Sequence, residues 1–124
     1  KDEVTDAKVA VAKSFPVKNF ISAMPTLLVP ERSIDNHKTM SWIFPDVKQA
    51  YTLEVRHGVA EFREGVDDNA DIKLTVDKDD WVEIILGEKS FAIALATGDV
   101  ALEGGIKKLP ELGRFFKQFD LPNK

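Results

Sequence analysis

The amino-acid sequence predicts an α+β fold in which a five-stranded, mostly antiparallel sheet is covered on one face by short helices. Three observations carry that expectation. Between residues 39 and 76 apolar side chains recur at every second position in successive runs, the period of a strand with one buried face. On either side of this block they recur three and four positions apart over two or three turns, as in small amphipathic helices. Proline and glycine fall mainly between the runs, where turns are needed. A half-dry sheet must cover its dry face, and helices adjoining it in sequence are the natural cover.

Residues Asp2–Lys13 carry acids first and lysines later, with Val4, Ala7, Val9, Ala10 and Val11 between them, which matches a helix dipole and predicts a short helix. Val17–Met24 places Phe20, Ile21 and Met24 on one face of a second helix, which Pro25 interrupts; Leu27, Leu28 and Val29 carry its apolar character on to Pro30. Pro30–Asn36 is polar and turn-like. Met40, Trp42 and Phe44 then alternate with Thr39, Ser41 and Ile43 in a first strand that stops at Pro45–Asp46. Tyr51, Leu53 and Val55 mark a second, and His57–Gly58 is a tight turn into a third over Val59–Arg63. After the loop Gly65–Asn69, Ala70, Ile72, Leu74 and Val76 make a fourth. These four strands are expected to run as a meander with one dry and one wet face.

Asp77, with Asp80 three positions on, is placed to cap a helix that carries Trp81, Ile84 and Ile85 as far as Gly87. Lys89–Ala96 puts Phe91, Ala94 and Leu95 on one side of another helix, stopped by Thr97–Gly98. Val100 and Leu102 give the fifth strand ahead of Gly104–Gly105. The closing helix has Leu109, Leu112, Phe115, Phe116 and Phe119 on its apolar side, and Pro110 fits only in its first turn. Lys107, Lys108, Arg114 and Lys117 against Glu111 give that helix three net positive charges.

Composition narrows the chemistry. A chain of 124 residues is one domain of ordinary size, and 44% apolar residues can fill a core without disulfides or metal. Seventeen basic against twenty-one acidic side chains leave a net charge of −4, with none of the basic excess that nucleic acid phosphate demands. The absence of cysteine excludes disulfides, zinc thiolates, iron–sulfur clusters and thiol catalysis. No apolar run approaches the ~20 residues of a membrane span, the longest being Trp81–Leu86 and Phe91–Ala96, so a soluble chain is expected, in either cytoplasm or periplasm. The first residue is Lys1, which reads as the start of a piece cut from a longer chain.

Candidate chemical sites are few. His37 and His57 lie twenty residues apart with no ligand spacing around them, so no metal is expected. Asp77, Asp79 and Glu88 occupy positions 1, 3 and 12 of a calcium loop, but Trp81 and Val82 stand at positions 5 and 6, where the sharp turn needs glycine; helix capping explains these acids better. Ser14, Ser22, Ser33, Ser41 and Ser90 lie in no nucleophile elbow. Gly104–Gly105 before a helix lacks the rest of any phosphate-binding motif and reads as a close-packed turn. No cofactor is expected.

The apolar residues are more informative. Met24, Leu28, Trp42 and Phe44 from the first half, Trp81, Ile85, Phe91 and Leu95 from the middle, and Leu112, Phe115, Phe116 and Phe119 from the end exceed the evident needs of so small a sheet. Two arrangements satisfy them, a filled core or the wall of a cavity. The basic closing helix could meet an anionic headgroup or membrane surface at such a cavity's mouth, or be a solvated face.

Local sequence adds a resemblance. The strand–helix pair Ala70–Val76 and Asp79–Gly87 (ADIKLTV, DDWVEIILG) and the segment Thr97–Gly105 (TGDVALEGG) resemble the corresponding patterns of sterol carrier protein type 2 domains. The segment Pro30–Gly65 (PERSIDNHKTMSWIFPDVKQAYTLEVRHGVAEFREG) is most similar to one branch, the C-terminal domain of bacterial alkyl sulfatases. The resemblance covers about residues 17–120, so residues 1–16 are expected to be a helix or linker from a preceding domain and 17–124 the lipid-binding domain itself. It implies an apolar tunnel for fatty acyl chains, sterols or other lipids, with Met24, Leu28, Trp42, Phe44, Trp81, Ile85, Phe91, Leu95, Leu112, Phe115 and Phe116 lining it. In alkyl sulfatases it implies a noncatalytic, accessory domain for the substrate's alkyl tail, partnered with a histidine-rich zinc domain of the same parent chain. With only two histidines, that chemistry would lie outside these residues. The alternative is an interaction or dimerisation domain with a filled core, docking through its closing helix.

Overall fold

The computed structural model describes residues 3–121. Helices α1 (Glu3–Ser14) and α2 (Val17–Ala23) come first; the expected start of α1 at Asp2 and the end of the domain at Lys124 lie outside the described residues. A 3-10 turn, Met24–Leu27, prolongs α2 because Pro25 cannot donate to a continuing helix. Strands β1 (His37–Phe44), β2 (Gln49–Arg56), β3 (Val59–Glu64) and β4 (Ile72–Val76) follow, then α3 (Lys78–Ile85), α4 (Phe91–Thr97), β5 (Val100–Leu102) and α5 (Leu109–Phe116). Asp77 occupies the N-cap position of α3, yet its side chain makes no cap bond; the first-turn amide of Lys78 donates instead to Asp46, 3.1 Å away in the β1–β2 turn. Ser90 does cap α4, accepting from the Ile93 amide at 3.3 Å. His57 and Gly58 have φ of 49° and 85°, the paired positive values that let a two-residue turn follow strand twist.

All five strands share one sheet, in the order β3-β2-β1-β4-β5. The expected meander is corrected here: β4 does not pair with β3 but lies parallel to β1, Met40 opposite Ile72 and Trp42 opposite Leu74. The short crossover is feasible because the strands are staggered. Glu64, at the end of β3, is level with Tyr51 and hence with Trp42, whereas β4 begins level with Met40, so residues 65–71 step sideways and only slightly back.

That crossover also alters the face expected to be wet. It runs under the sheet, where Thr52 Oγ1 donates to the Gly65 carbonyl at 2.7 Å and the Asp67 amide donates to Ser41 Oγ at 3.0 Å. Ser41 and Thr52 are themselves 2.7 Å apart and buried, so both hydroxyls are satisfied without water. Beside them, Arg63 joins Glu54, Glu61 and Asp67, and His37 Nε2 lies 2.6 Å from Glu54. The Arg63 guanidinium, and then His37, hold the Glu54 carboxyl below its ordinary range. A depressed folded-state pKa gives stability that is complete above the unfolded pKa and is lost as pH falls through the folded one. Urea unfolding between neutral pH and pH about 3 is therefore expected to show a decline that Glu54→Gln makes shallower; an equally steep decline in the variant would refute the assignment.

The opposite face holds the core. Met40, Trp42 and Phe44 of β1, Leu53 and Val55 of β2, and Ile72 and Leu74 of β4 are fully buried against the helices. The expected fold class is the observed one, with a single parallel pair in an otherwise antiparallel sheet.

Candidate functional site

The helical layer does not close completely. A groove of about 650 Å³ runs between α2, α3 and α5. Phe15, Phe20, Ala23, Met24 and Leu27 form one side; Trp81, Ile84, Ile85 and Leu86 of α3 and its following turn form the base, with Phe91 of α4. Leu109, Leu112, Gly113 and Phe116 of α5, with Leu121, form the other side, and Asn19 is the one polar side chain among these residues. This size is ordinary for a small-molecule site, and the apolar lining suits a hydrocarbon.

Local sequence explains how the groove stays open. One end of α5 is fixed by Lys108, whose ammonium donates to the Asp71 carbonyl at 2.9 Å and to Glu111 at 3.1 Å. Burial pushes the Glu111 carboxyl up, but Lys108 and Lys38 outweigh it and hold the group below its usual range. The other end is fixed by an isolated antiparallel bridge between Leu28 and Phe119, in which Val29 N donates to Gln118 O and Asp120 N to Leu27 O. Gln118 is buried and bonded to Asn36 at 2.8 Å and to the Phe115 carbonyl at 3.1 Å. Held at both ends, α5 spans the opening. Gly113 stands at its lip, where an added Cβ would meet nothing.

Six of the residues singled out from sequence line this groove: Met24, Trp81, Ile85, Phe91, Leu112 and Phe116. Five do not. Trp42 and Phe44 are fully buried in β1, where a strand facing the helices forms the core floor beneath the groove. Phe115 faces Trp42 and Phe119 within the core, Leu28 is held in the bridge, and Leu95 packs at the core margin. Trp42 supports the groove from behind, edge-on to Trp81 at 5.9 Å and to Phe116 at 6.2 Å between ring centroids. Both indole N–H groups are buried without a hydrogen-bond partner among the described residues. Sequence reading missed Phe15, Phe20, Ala23 and Leu27 as wall residues. The spacing of Phe20, Ala23, Met24 and Leu27, at i, i+3, i+4 and i+7, carried that signal.

Residues outside the groove are accounted for by structure. Among the described residues no group of three histidine, aspartate or glutamate side chains could hold a metal ion. His57 Nδ1 lies 3.0 Å from the Ile34 carbonyl. The would-be calcium loop is helix α3, with Asp80 bound to Lys89 at 2.7 Å. Gly104 and Gly105, with φ of 89° and 74°, form a tight turn in which a Cβ on Gly104 would stand 2.9 Å from Lys108 Cγ. No helix among the described residues is long and apolar enough to cross a membrane. Helix α1, read from sequence as a helix or linker, packs on α3, where Lys13 pairs with Glu83; Val4 and Val11 remain exposed on it.

Comparison with known proteins places this geometry. The family model described as alkyl sulfatase C-terminal matches residues 5–123. A linear primary-alkylsulfatase of Pseudomonas sp. (strain ATCC 19151) is 36% identical over 94 residues, covering 76% of this chain and 18% of that protein. The stereoselective inverting sec-alkylsulfatase Pisa1 from Pseudomonas sp. superposes with a TM-score of 0.75 at 27% identity, over 88% of this chain and 17% of the other. Palmitated SCP2L2 from Aedes aegypti shares the fold, with a TM-score of 0.55 at 18% identity over 80% of this chain and 88% of the other. The chain thus spans less than a fifth of the length of these alkylsulfatases.

Proposed function

The chain belongs to the alkyl sulfatase C-terminal family, and from that premise we propose that its groove takes up the alkyl tail of an amphiphile, as the accessory tail-binding domain of an alkyl sulfatase. The observation that carries this reading is the groove itself, about 650 Å³ walled by apolar side chains with Asn19 as the polar exception. Palmitated SCP2L2, which shares the fold, supports an acyl chain as the kind of ligand such a groove takes. Hydrolysis would be performed by another part of such a protein, and the groove would hold the end of the substrate that does not react.

The energetics suffice. Burying a twelve-carbon tail at ~0.8 kcal/mol per methylene yields about 9 kcal/mol, from which lost ligand freedom and side-chain ordering remove several, leaving about 5–7 kcal/mol, a dissociation constant of roughly 10–200 μM. The alternative of docking through the apolar side of α5 has less support, because Phe115 and Phe119 are already buried in the chain's own core.

The two tryptophans report the event directly, since Trp81 lines the groove and Trp42 lies behind it. Titration with dodecyl sulfate or laurate well below the micelle concentration should give a saturable fluorescence change at roughly tens to hundreds of micromolar ligand, with far-ultraviolet circular dichroism unchanged. A linear response, or one that tracks loss of helix, would sink the proposal.

A further inference from the structure

The outward face of α5 and the turn before it have a character that tail binding does not use. Every exposed position from 104 to 117 is uncharged or basic, in a chain whose net charge is −4. Glu111, the one acid in the stretch, is half-buried and engaged by Lys38 and Lys108. Lys107, Arg114 and Lys117 are exposed and make no ion pair among the described residues. Arg32 joins them from the other side of the bridge, its guanidinium donating to the Lys117 carbonyl at 3.1 Å. Ile106, 74% exposed, projects beside Lys107. Glu103 and Asp120 bound the stretch at its two ends.

Placement gives this face a direction. Leu112 and Phe116 turn into the groove, Gly113 forms its lip, and Lys117 stands one turn beyond Gly113 on the same side of the helix. Cations therefore border the opening through which a tail would enter. An exposed isoleucine among unpaired cations is the composition that adsorbs to anionic amphiphile layers, with basic side chains at the headgroups and the apolar one in the acyl boundary. The acidic remainder of the domain would be repelled, which fixes the orientation.

From this placement we infer that the outer face of α5, with Ile106, Lys107, Arg114 and Lys117, docks the domain on an anionic lipid surface and sets the groove mouth against the layer. The role given to this docking, passing a tail from the layer to the groove, rests on the tail-binding reading; the docking itself does not. Attraction of roughly fivefold per cation makes the surface term measurable and salt-sensitive.

Co-sedimentation with phosphatidylcholine vesicles, with and without phosphatidylglycerol at about one-third of the lipid, is the test. The domain should bind the anionic vesicles, release at about 0.5 M salt, and leave neutral vesicles unbound. The variant Lys107→Glu/Arg114→Glu/Lys117→Glu should lose more than about a hundredfold in vesicle affinity, and the neutral Lys107→Gln/Arg114→Gln/Lys117→Gln variant should fall between, both with unchanged circular dichroism. Equal binding of neutral and anionic vesicles, no binding at all, or wild-type affinity in the variants overturns the inference. Titration of the groove with 1-decanol, which carries no charge, separates the two ideas. Vesicle docking without decanol binding removes the tail reading alone, and decanol binding without docking removes this one.

Discussion

Trp42→Ala is expected to lower the free energy of unfolding by about 3–5 kcal/mol, among the largest effects available to a single substitution in this domain. Trp42 is fully buried at the middle of β1, and its ring packs edge-on against Trp81, Phe115 and Phe116. Truncation opens a void that the strand cannot close, because its backbone is paired on both sides, with β2 and with β4. The effect should reach the groove, since Trp81 and Phe116 would lose the ring that backs them. Trp42→Phe makes the argument sharper. It keeps an aromatic ring and deletes an indole N–H that has no partner among the described residues, so a cost of only about 1–2 kcal/mol is expected. Urea midpoints of the two variants would check this, and a loss as large for phenylalanine as for alanine would show that the N–H has a partner in solution.

Gly113→Leu should separate stability from binding. Gly113 lies inside α5, where glycine costs about 0.5–1 kcal/mol relative to a good helix former, and a Cβ placed there meets no atom. The variant should therefore be more stable than wild type by a few tenths to about 1 kcal/mol. The new side chain stands at the groove lip beside Leu112 and Phe116, narrowing the entrance, and dodecyl sulfate affinity should fall about tenfold or more, worth ~1.4 kcal/mol. Most damaging substitutions weaken both properties together. A raised unfolding midpoint with lost tail binding would assign the groove, whereas unchanged affinity would remove it as the binding site.

Much of this architecture was legible from periodicity. The alternation of Met40, Trp42 and Phe44, the His57–Gly58 turn and the stop at Gly98 each mark an element that the structure contains. Pairing partners were not legible. Alternation records which face a side chain occupies and carries no information on the neighbouring strand, so β4 could not be told to lie beside β1 in place of β3. The same limit explains why Trp42 and Phe44 were grouped with the groove wall. They share the helix-covered face with it, but a floor and a wall have identical sequence periods. Burial of Ser41 and Thr52 also escaped notice, because their hydroxyls are satisfied by a crossover seven residues long that arrives from a distant part of the chain.

The bridge between Leu28 and Phe119 has a consequence for how the chain is made. A ribosome delivers Met24–Leu28 long before Phe119 exists, and until then the half-groove of α2 has no opposite bank. During that interval Phe20, Met24 and Leu27 present an apolar strip to whatever is nearby, the kind of surface that chaperones hold and aggregates recruit. The nascent domain should therefore be most vulnerable late in its own synthesis. Weakening the clasp, for example by Gln118→Ala, should prolong that vulnerable state, seen as lower yield in cells out of proportion to the loss in equilibrium stability.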